Sequence, residues 1–275
     1  MVSGFAKTIT EPVHEIKNAI VAEALVQFDE TGTRVDKRTV WAHTASTKTL
    51  TYIEIQQSRG KKGMDAIGIL LAYLGTAIHD CWASYFLFSD IRHGLCNAHL
   101  LRELTAVVEN TQQTWAQALI DLLLRMKSVK EKLLLWNRHR PTPHFLKKFS
   151  HEYDKIMEDA LEQNPPPART QKGRPKRGKT GALVERLILH KYKYLLFFTD
   201  FSVPFDNNQA ERDIRMFKVK QKVSGCFRTM EGASDFAAIM SYVGTARKHG
   251  VSGFTAIKNA LVGMPFSVNH LMATE

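Results

Sequence analysis

The chain is predicted to be an α/β protein built on one mixed sheet, and three observations carry that prediction. Three β-rich runs follow one another between residues 24 and 55. An apolar stretch at helical spacing, Met64 to Leu74, then leads into a fourth short run that ends before Asp80. Residues 115 to 136 hold the clearest helical period in the chain, long enough to form an insertion between parts of the sheet.

Residues 10 to 23 have the spacing of an amphipathic helix, with Val13, Ile16, Ile20 and Val21 on one face. Ala24 to Phe28 is an apolar run of strand length, with Asp29 at its end. Gly32 is expected to turn the chain into two more β-rich runs, Arg34 to Thr44 and Thr49 to Ile55, so that 24 to 55 form an antiparallel meander. Gln56 to Gly63 is a polar loop. The helix over Met64 to Leu74 stops at Gly75, and Thr76 begins the fourth strand. Such a crossover makes the fourth strand parallel to the first and brings Asp80 beside Asp29. A fifth strand around Gly94 to Asn97 enters a helix from Ala98 to Val108. Three antiparallel strands, a helix, then parallel strands is the order with which ribonuclease H-like folds begin.

Trp115, Leu119, Leu122, Met126, Val129, Leu133 and Trp136 recur at alternating steps of four and three, a seam of a/d type. After Pro141 and Pro143 a second stripe follows, Phe145, Phe149, Tyr153, Ile156 and Ala160. A helical hairpin closing on itself is the simplest arrangement and a dimer contact the alternative, because about three heptads are marginal for a free-standing coiled coil. Pro165 to Gly181 has the composition of a linker, with Arg169, Lys172, Arg174, Lys176, Arg177 and Lys179 and no acid. It is either a solvated charge run or a phosphate contact. Leu183 to His190 resumes a helix, and Asp206-Asn207-Asn208 supplies N-cap chemistry for the helix that carries Glu211. The chain thus divides into a leading helix (1–23), the first part of the core (24–110), a helical insertion with a basic linker (111–181), the second part of the core (182–262) and a tail (263–275).

At 275 residues and 44% hydrophobic composition the chain can bury one large core. Its 38 Lys plus Arg against 27 Asp plus Glu give a formal net charge of +11, which favours a polyanionic partner. Cys81, Cys96 and Cys226 are too few and too scattered for a disulfide scaffold and fit a reducing cytoplasm. No stretch reaches the length of a membrane span, and no export signal precedes the first helix.

Asp29 and Asp80 at neighbouring strand ends, with Glu211 from a helix laid across them, would form a cluster that repels itself unless hard cations occupy it. Oxygen ligands and phosphate chemistry suit Mg²⁺. Taken singly, Asp29 could be a turn residue, Asp80 a cap and Glu211 a solvent-facing helix acid. Glu30, Asp90, Asp206 and Asp213 are the competing acids, and Asp206 is set aside as an N-cap. Cys96 and His99 have metal-ligand spacing without a second pair to complete a zinc site. His79 should point to the strand face opposite Asp80 and is read as structural. Arg212, Arg215, Lys218, Lys220, Lys222 and Arg228 suggest one basic face that either tracks a phosphate backbone or is merely solvated.

These residues carry a family resemblance. Phe-Asp-Glu-Thr-Gly-Thr-Arg-Val at 28–35, Ile-His-Asp at 78–80, Cys-Asn-Ala-His at 96–99 with Leu-Arg-Glu-Leu at 101–104, Asn-Asn-Gln-Ala-Glu-Arg-Asp-Ile-Arg at 207–215 and Lys-Val-Ser-Gly-Cys-Phe-Arg at 222–228 closely resemble the transposases of the insertion sequence 66 family. The likeness extends over roughly residues 20 to 262.

The resemblance implies a ribonuclease H-like catalytic domain whose Asp29, Asp80 and Glu211 bind two Mg²⁺ ions, for which Mn²⁺ could substitute. Asp29 should bridge both ions, and Asp80 and Glu211 should each complete one. Water would then cleave a DNA strand, and a DNA 3′-OH would carry out strand transfer, with no protein nucleophile. His99, Asn207 and Asn208 would lie near this site. The implied partners are transposon-end and target DNA, further copies of the chain during transposition and accessory proteins of the same element, in the bacterial cytoplasm at the nucleoid. Family members usually carry an N-terminal zinc-binding module and an end-recognition segment, and no Cys precedes Cys81 here. The alternative is a truncated, non-catalytic DNA-binding or oligomerising remnant; a general nuclease of the same fold is a third reading.

Overall fold

The computed structural model describes residues 2–166 and 178–269. The chain divides into two compact units, Met1–His93 with Asn207–Glu275, and Gly94–Asp206. The predicted α/β class with one mixed sheet is present: five strands in the order β3-β2-β1-β4-β5.

In the first unit, α1 (Val2–Thr8) and α2 (Thr10–Ala22) lead into β1 (Leu25–Val35), β2 (Arg38–Ser46) and β3 (Thr51–Gln56). The predicted face of α2 is buried through Val13, Ile16 and Ile20, with Val21 half-buried. β1 is longer than predicted. Gly32 does not turn the chain; it pairs with Trp41 inside the antiparallel β1–β2 ladder. The turn falls at Asp36 and Lys37, with φ of 44° and 64°, a two-residue connection whose left-handed residues match the twist of the strands. Asp29 is therefore the fifth residue of an 11-residue strand and not its end.

The predicted single helix over Met64 to Leu74 is two, α3 (Lys61–Ile67) and α4 (Ile69–Ala72), broken where Gly68 takes a φ of 81° and caps α3 with its N–H on the Met64 carbonyl. The crossover delivers β4 (Thr76–His79), which pairs in parallel with β1 as expected. β5 spans Arg92–Leu95. From the second half of the chain this unit takes α11 (Asn208–Ser224), α12 (Met230–Lys248) and α13 (Gly253–Leu261).

Side-chain alternation separates two cores. Val26 and Phe28 of β1, with Ala45, Tyr52 and Ala77, join α2, Met64, Ile67 and Leu70 in one cluster. Val35, Val40, Ala42, Ile53 and Ile55 point the other way, onto Ile214 and Phe217 of α11 and Ala233 and Ala237 of α12. The sheet is thus covered on both faces, and burying each of the larger apolar side chains contributes about 1.5–3 kcal/mol.

The second unit is helical: α5 (Asn97–Thr111), α6 (Thr114–Leu135), α7 (Pro143–Gln163), α8 (Lys179–Leu189), α9 (Lys191–Tyr194) and α10 (Leu196–Thr199). α6 and α7 pack on each other through the two predicted stripes. Trp115, Leu119, Leu122, Met126 and Leu133 of α6, and Phe149, Tyr153, Ile156 and Ala160 of α7, are buried. Trp136, the expected last residue of the first stripe, lies past the helix end and is 70% exposed. Among the described residues no helix is long and apolar enough to cross a membrane.

Candidate active site

The parallel ladder of β1 and β4 pairs Leu25 with Thr76, Val26 with Ala77 and Gln27 with Ile78. Two more residues in the same register set Asp29 level with Asp80. Both then share the face of Gln27 and Ile78, because alternate residues of a strand point to one side. One Asp80 oxygen (Oδ1) accepts the Trp82 N–H at 3.0 Å, closing the turn that follows β4.

Glu211 reaches the same face from α11. Asn207 is the N-cap residue of that helix, but its side chain does not cap it. Its Nδ2 instead donates to the Phe28 carbonyl at 2.7 Å, and the Gln209 N–H donates to Gln27 Oε1 at 3.2 Å. The predicted N-cap role for the 206–208 polar cluster is thus corrected: the short polar side chain ties the helix start to the peptide preceding Asp29. Asn208 is the exposed first residue of α11.

Two residues beyond Glu211, Asp213 fixes the pitch of the helix. Its Oδ2 accepts from Ser46 Oγ at 2.8 Å, Thr51 Oγ1 at 2.9 Å and Lys248 Nζ at 2.6 Å, and its Oδ1 from Gln209 Nε2 at 2.9 Å. Lys248 also donates to the Thr47 and Leu50 carbonyls. Burial pulls the Lys248 ammonium below its ordinary pKa, against the pull of Asp213.

The electrostatics of Asp29 reflect its acidic neighbours. Burial first, then the neighbouring charge of Glu30, and then those of Glu211 and Asp80 push the Asp29 carboxyl up to about 7. A carboxylate that close to two others and shielded from water holds its proton until something positive replaces it. Among the described residues no lysine or arginine forms an ion pair with Asp29 or Asp80; the nearby cation, Arg59, is bound to Glu30 at 2.8 Å. Asp29 and Asp80 offer carboxylate oxygens, a donor type that suits hard divalent cations such as Mg²⁺ or Mn²⁺.

Glu30 is a buttress on the opposite face. Tyr85 Oη donates to its Oε2 at 2.6 Å, and the Arg59 guanidinium, stacked 4.2 Å from the Trp82 ring and 5.0 Å from that of Trp41, grips its Oε1. Burial raises the Glu30 pKa, and Tyr85 and Arg59 hold it down. His79 is fully buried, stacked on Tyr85 and bonded to His93 at 2.9 Å, in keeping with a structural role. Arg59, Tyr85, Trp82 and Lys248 carry no local sequence signal: each acts through a partner distant in the chain.

The basic residues divide. Steps of four, three and four along α11 place Arg215, Lys218 and Lys222 on the side of Glu211, and all three are exposed. Lys218 Nζ also donates to the Gly32 carbonyl at 3.0 Å. Lys220 leaves that stripe and lies over the Phe227 ring at 4.1 Å. Arg212 is exposed and bonds Gln209 Oε1, and Arg228 is exposed beyond the helix end. Cys96 and His99 belong to the second unit, at the N-cap and in the first turn of α5. Arg174, Lys176 and Arg177 lie outside the described residues.

Comparison with protein families first supplies a class: the profile that matches, over residues 1–235, describes transposases. The chain belongs to the transposase IS66 family. No curated protein matches it.

Proposed function

We propose that this chain is the catalytic domain of a metal-dependent DNA transposase with a ribonuclease H-like core. The observation that supports the reading is the approach of Asp29 in β1, Asp80 just past β4 and Glu211 in α11, with Asp29 raised to about 7 by burial and by its acidic neighbours. The strand order and the mixed pairing of the sheet agree with that core.

Asp29, Asp80 and Glu211 would together hold the divalent cations, with Asp29 shared and Asp80 and Glu211 each serving one ion. When bound, the ions would lower the charge barrier to attack at phosphorus and stabilise the leaving oxygen. The residues supply the rest. Asn207, Gln209 and Asp213 fix the helix so that Glu211 needs no reorganisation, and Arg215, Lys218 and Lys222 offer cations to phosphates beside the reacting one. Attack by water breaks the P–O3′ bond and leaves a 3′-OH, which is then the nucleophile for joining to target DNA.

The test is nicking and joining of supercoiled DNA in Mg²⁺ or Mn²⁺, comparing the chain with Asp80→Ala. Products that vanish in the variant support the proposal. Equal products from both proteins reject it, and DNA binding without products from either points to a non-catalytic remnant.

A further inference from the structure

At the far end of β1 a second basic feature lies apart from the acids. A cleft of about 480 Å³ opens between the β1–β2 turn and the connection from α11 to α12, lined by Asp36, Arg38, Gln57, Arg228 and Thr229 among others. Arg38 and Arg228 line it and are exposed, as are Arg34 and Lys37 in and beside the same turn, and none of the four makes an ion pair among the described residues. Asp36 is the one acid lining it. Its walls are fixed: Asp36 N–H donates to the Phe227 carbonyl at 3.0 Å, and Phe227 N–H to the Arg34 carbonyl at 2.8 Å. Thr229 caps α12 by accepting from the Gly232 N–H at 3.0 Å, so the positive end of a 19-residue helix opens onto the cleft.

The path from the acids to this cleft is marked by bonds. Gln209 meets Gln27, Lys218 meets the Gly32 carbonyl and Phe227 meets Arg34, so α11 runs along β1 from the acids to the turn. Asp29 to Val35 is six steps of strand, roughly 20 Å at about 3.3 Å each. A DNA duplex rises about 3.4 Å per base pair, so this span corresponds to about six base pairs.

We propose that the cleft is a second contact for the DNA backbone, holding the duplex about six base pairs from the reacting phosphate, with the exposed α11 stripe between. The inference rests on the function proposed above but assigns a surface and a reach that this function does not require. Guanidinium groups without acidic partners, on a braced frame and beside a helix N-terminus, suit phosphate oxygens.

The test uses the full chain and a series of random-sequence duplexes of about 6 to 14 base pairs, with affinity measured by fluorescence anisotropy over a range of salt. In the wild type the slope of log K against log[salt] should steepen by about two as the duplex grows past six base pairs, at about 0.9 per phosphate neutralised. Arg38→Ala/Arg228→Ala should lose that increment and match the wild type on the shortest duplex. Arg38→Gln/Arg228→Gln, with an unchanged melting temperature, guards against a folding defect. A wild-type slope independent of length, or a full increment retained in both variants, overturns the proposal. Asp80→Ala separates the two ideas: it should keep the length-dependent slope even if no form of the protein nicks DNA.

Discussion

Asn207 donates its side-chain amide to the main-chain carbonyl of Phe28 at 2.7 Å, joining the start of α11 to the residue just before Asp29. The bond is buried, and removing the donor leaves a desolvated carbonyl. Asn207→Ala should therefore lower stability by about 1–3 kcal/mol in urea unfolding and reduce nicking beyond what that loss explains. Asn208→Ala, at the exposed first position of the helix, should do neither.

Asp213 and Lys248 form a largely buried ion pair at 2.6 Å, with side chains 14% and 11% exposed. Asp213→Ala leaves the ammonium without its counter-charge and should cost about 3–5 kcal/mol. Adding Lys248→Met should recover part of it. A double variant no more stable than the single one would show that the lysine is held by the Thr47 and Leu50 carbonyls instead.

Asp29 gives a pH dependence of known sign. Its carboxyl titrates near 7 in the folded chain against 3.8 as its ordinary value, so the folded state keeps a proton that the unfolded state has lost between those limits. Stability from this group is complete below about pH 4, falls as pH rises and is gone above about 7. Asp29→Asn should raise the metal-free melting temperature by a few degrees at pH 8, less at pH 5 and hardly at all at pH 4. A gain independent of pH would sink this assignment.

Divalent cations should reverse that penalty. Millimolar Mn²⁺ or Mg²⁺ is expected to raise the melting temperature of the wild type, more at pH 8 than at pH 6 because the ions compete with the Asp29 proton. Differential scanning fluorimetry should show the shift abolished in Asp29→Asn and Asp80→Asn. Equal shifts in all three proteins would indicate surface binding instead.

Two glycines test the description of the sheet. A Cβ on Gly75, just before β4, would clash with the Tyr73 hydroxyl and lie 2.8 Å from the Ala24 carbonyl. A Cβ on Gly32 would meet only Thr39 and Trp41 at 3.7 Å. Gly75→Ala should lower the melting temperature strongly, and Gly32→Ala should leave it nearly unchanged.

What was legible in the residues is what short-range pattern encodes. Apolar runs located β1 and β4, the crossover rule made them parallel, and acids immediately after those runs pointed to Asp29 and Asp80. Gly32 misled because glycine is the usual punctuation, whereas the turn was made by Asp36 and Lys37, of which only the first favours a left-handed backbone. The helix break at Gly68 was masked by continuous apolar spacing on either side. Helical period alone could not tell that α6 stops before Trp136. Nor could any periodicity reveal that Arg59 would clasp Glu30 between two indoles, or that Asn207 would serve a strand and not its own helix. Those bonds depend on which elements meet in space.

Asp29 and Glu211 stand 182 positions apart. At the usual pace of about 5–20 residues per second, the ribosome needs roughly 10–40 s to pass from one to the other. Throughout that interval the nascent polypeptide lacks the glutamate, even after Asp80 has joined Asp29. On the function proposed here, a host cell would meet a cutting enzyme only after Glu211 has been translated.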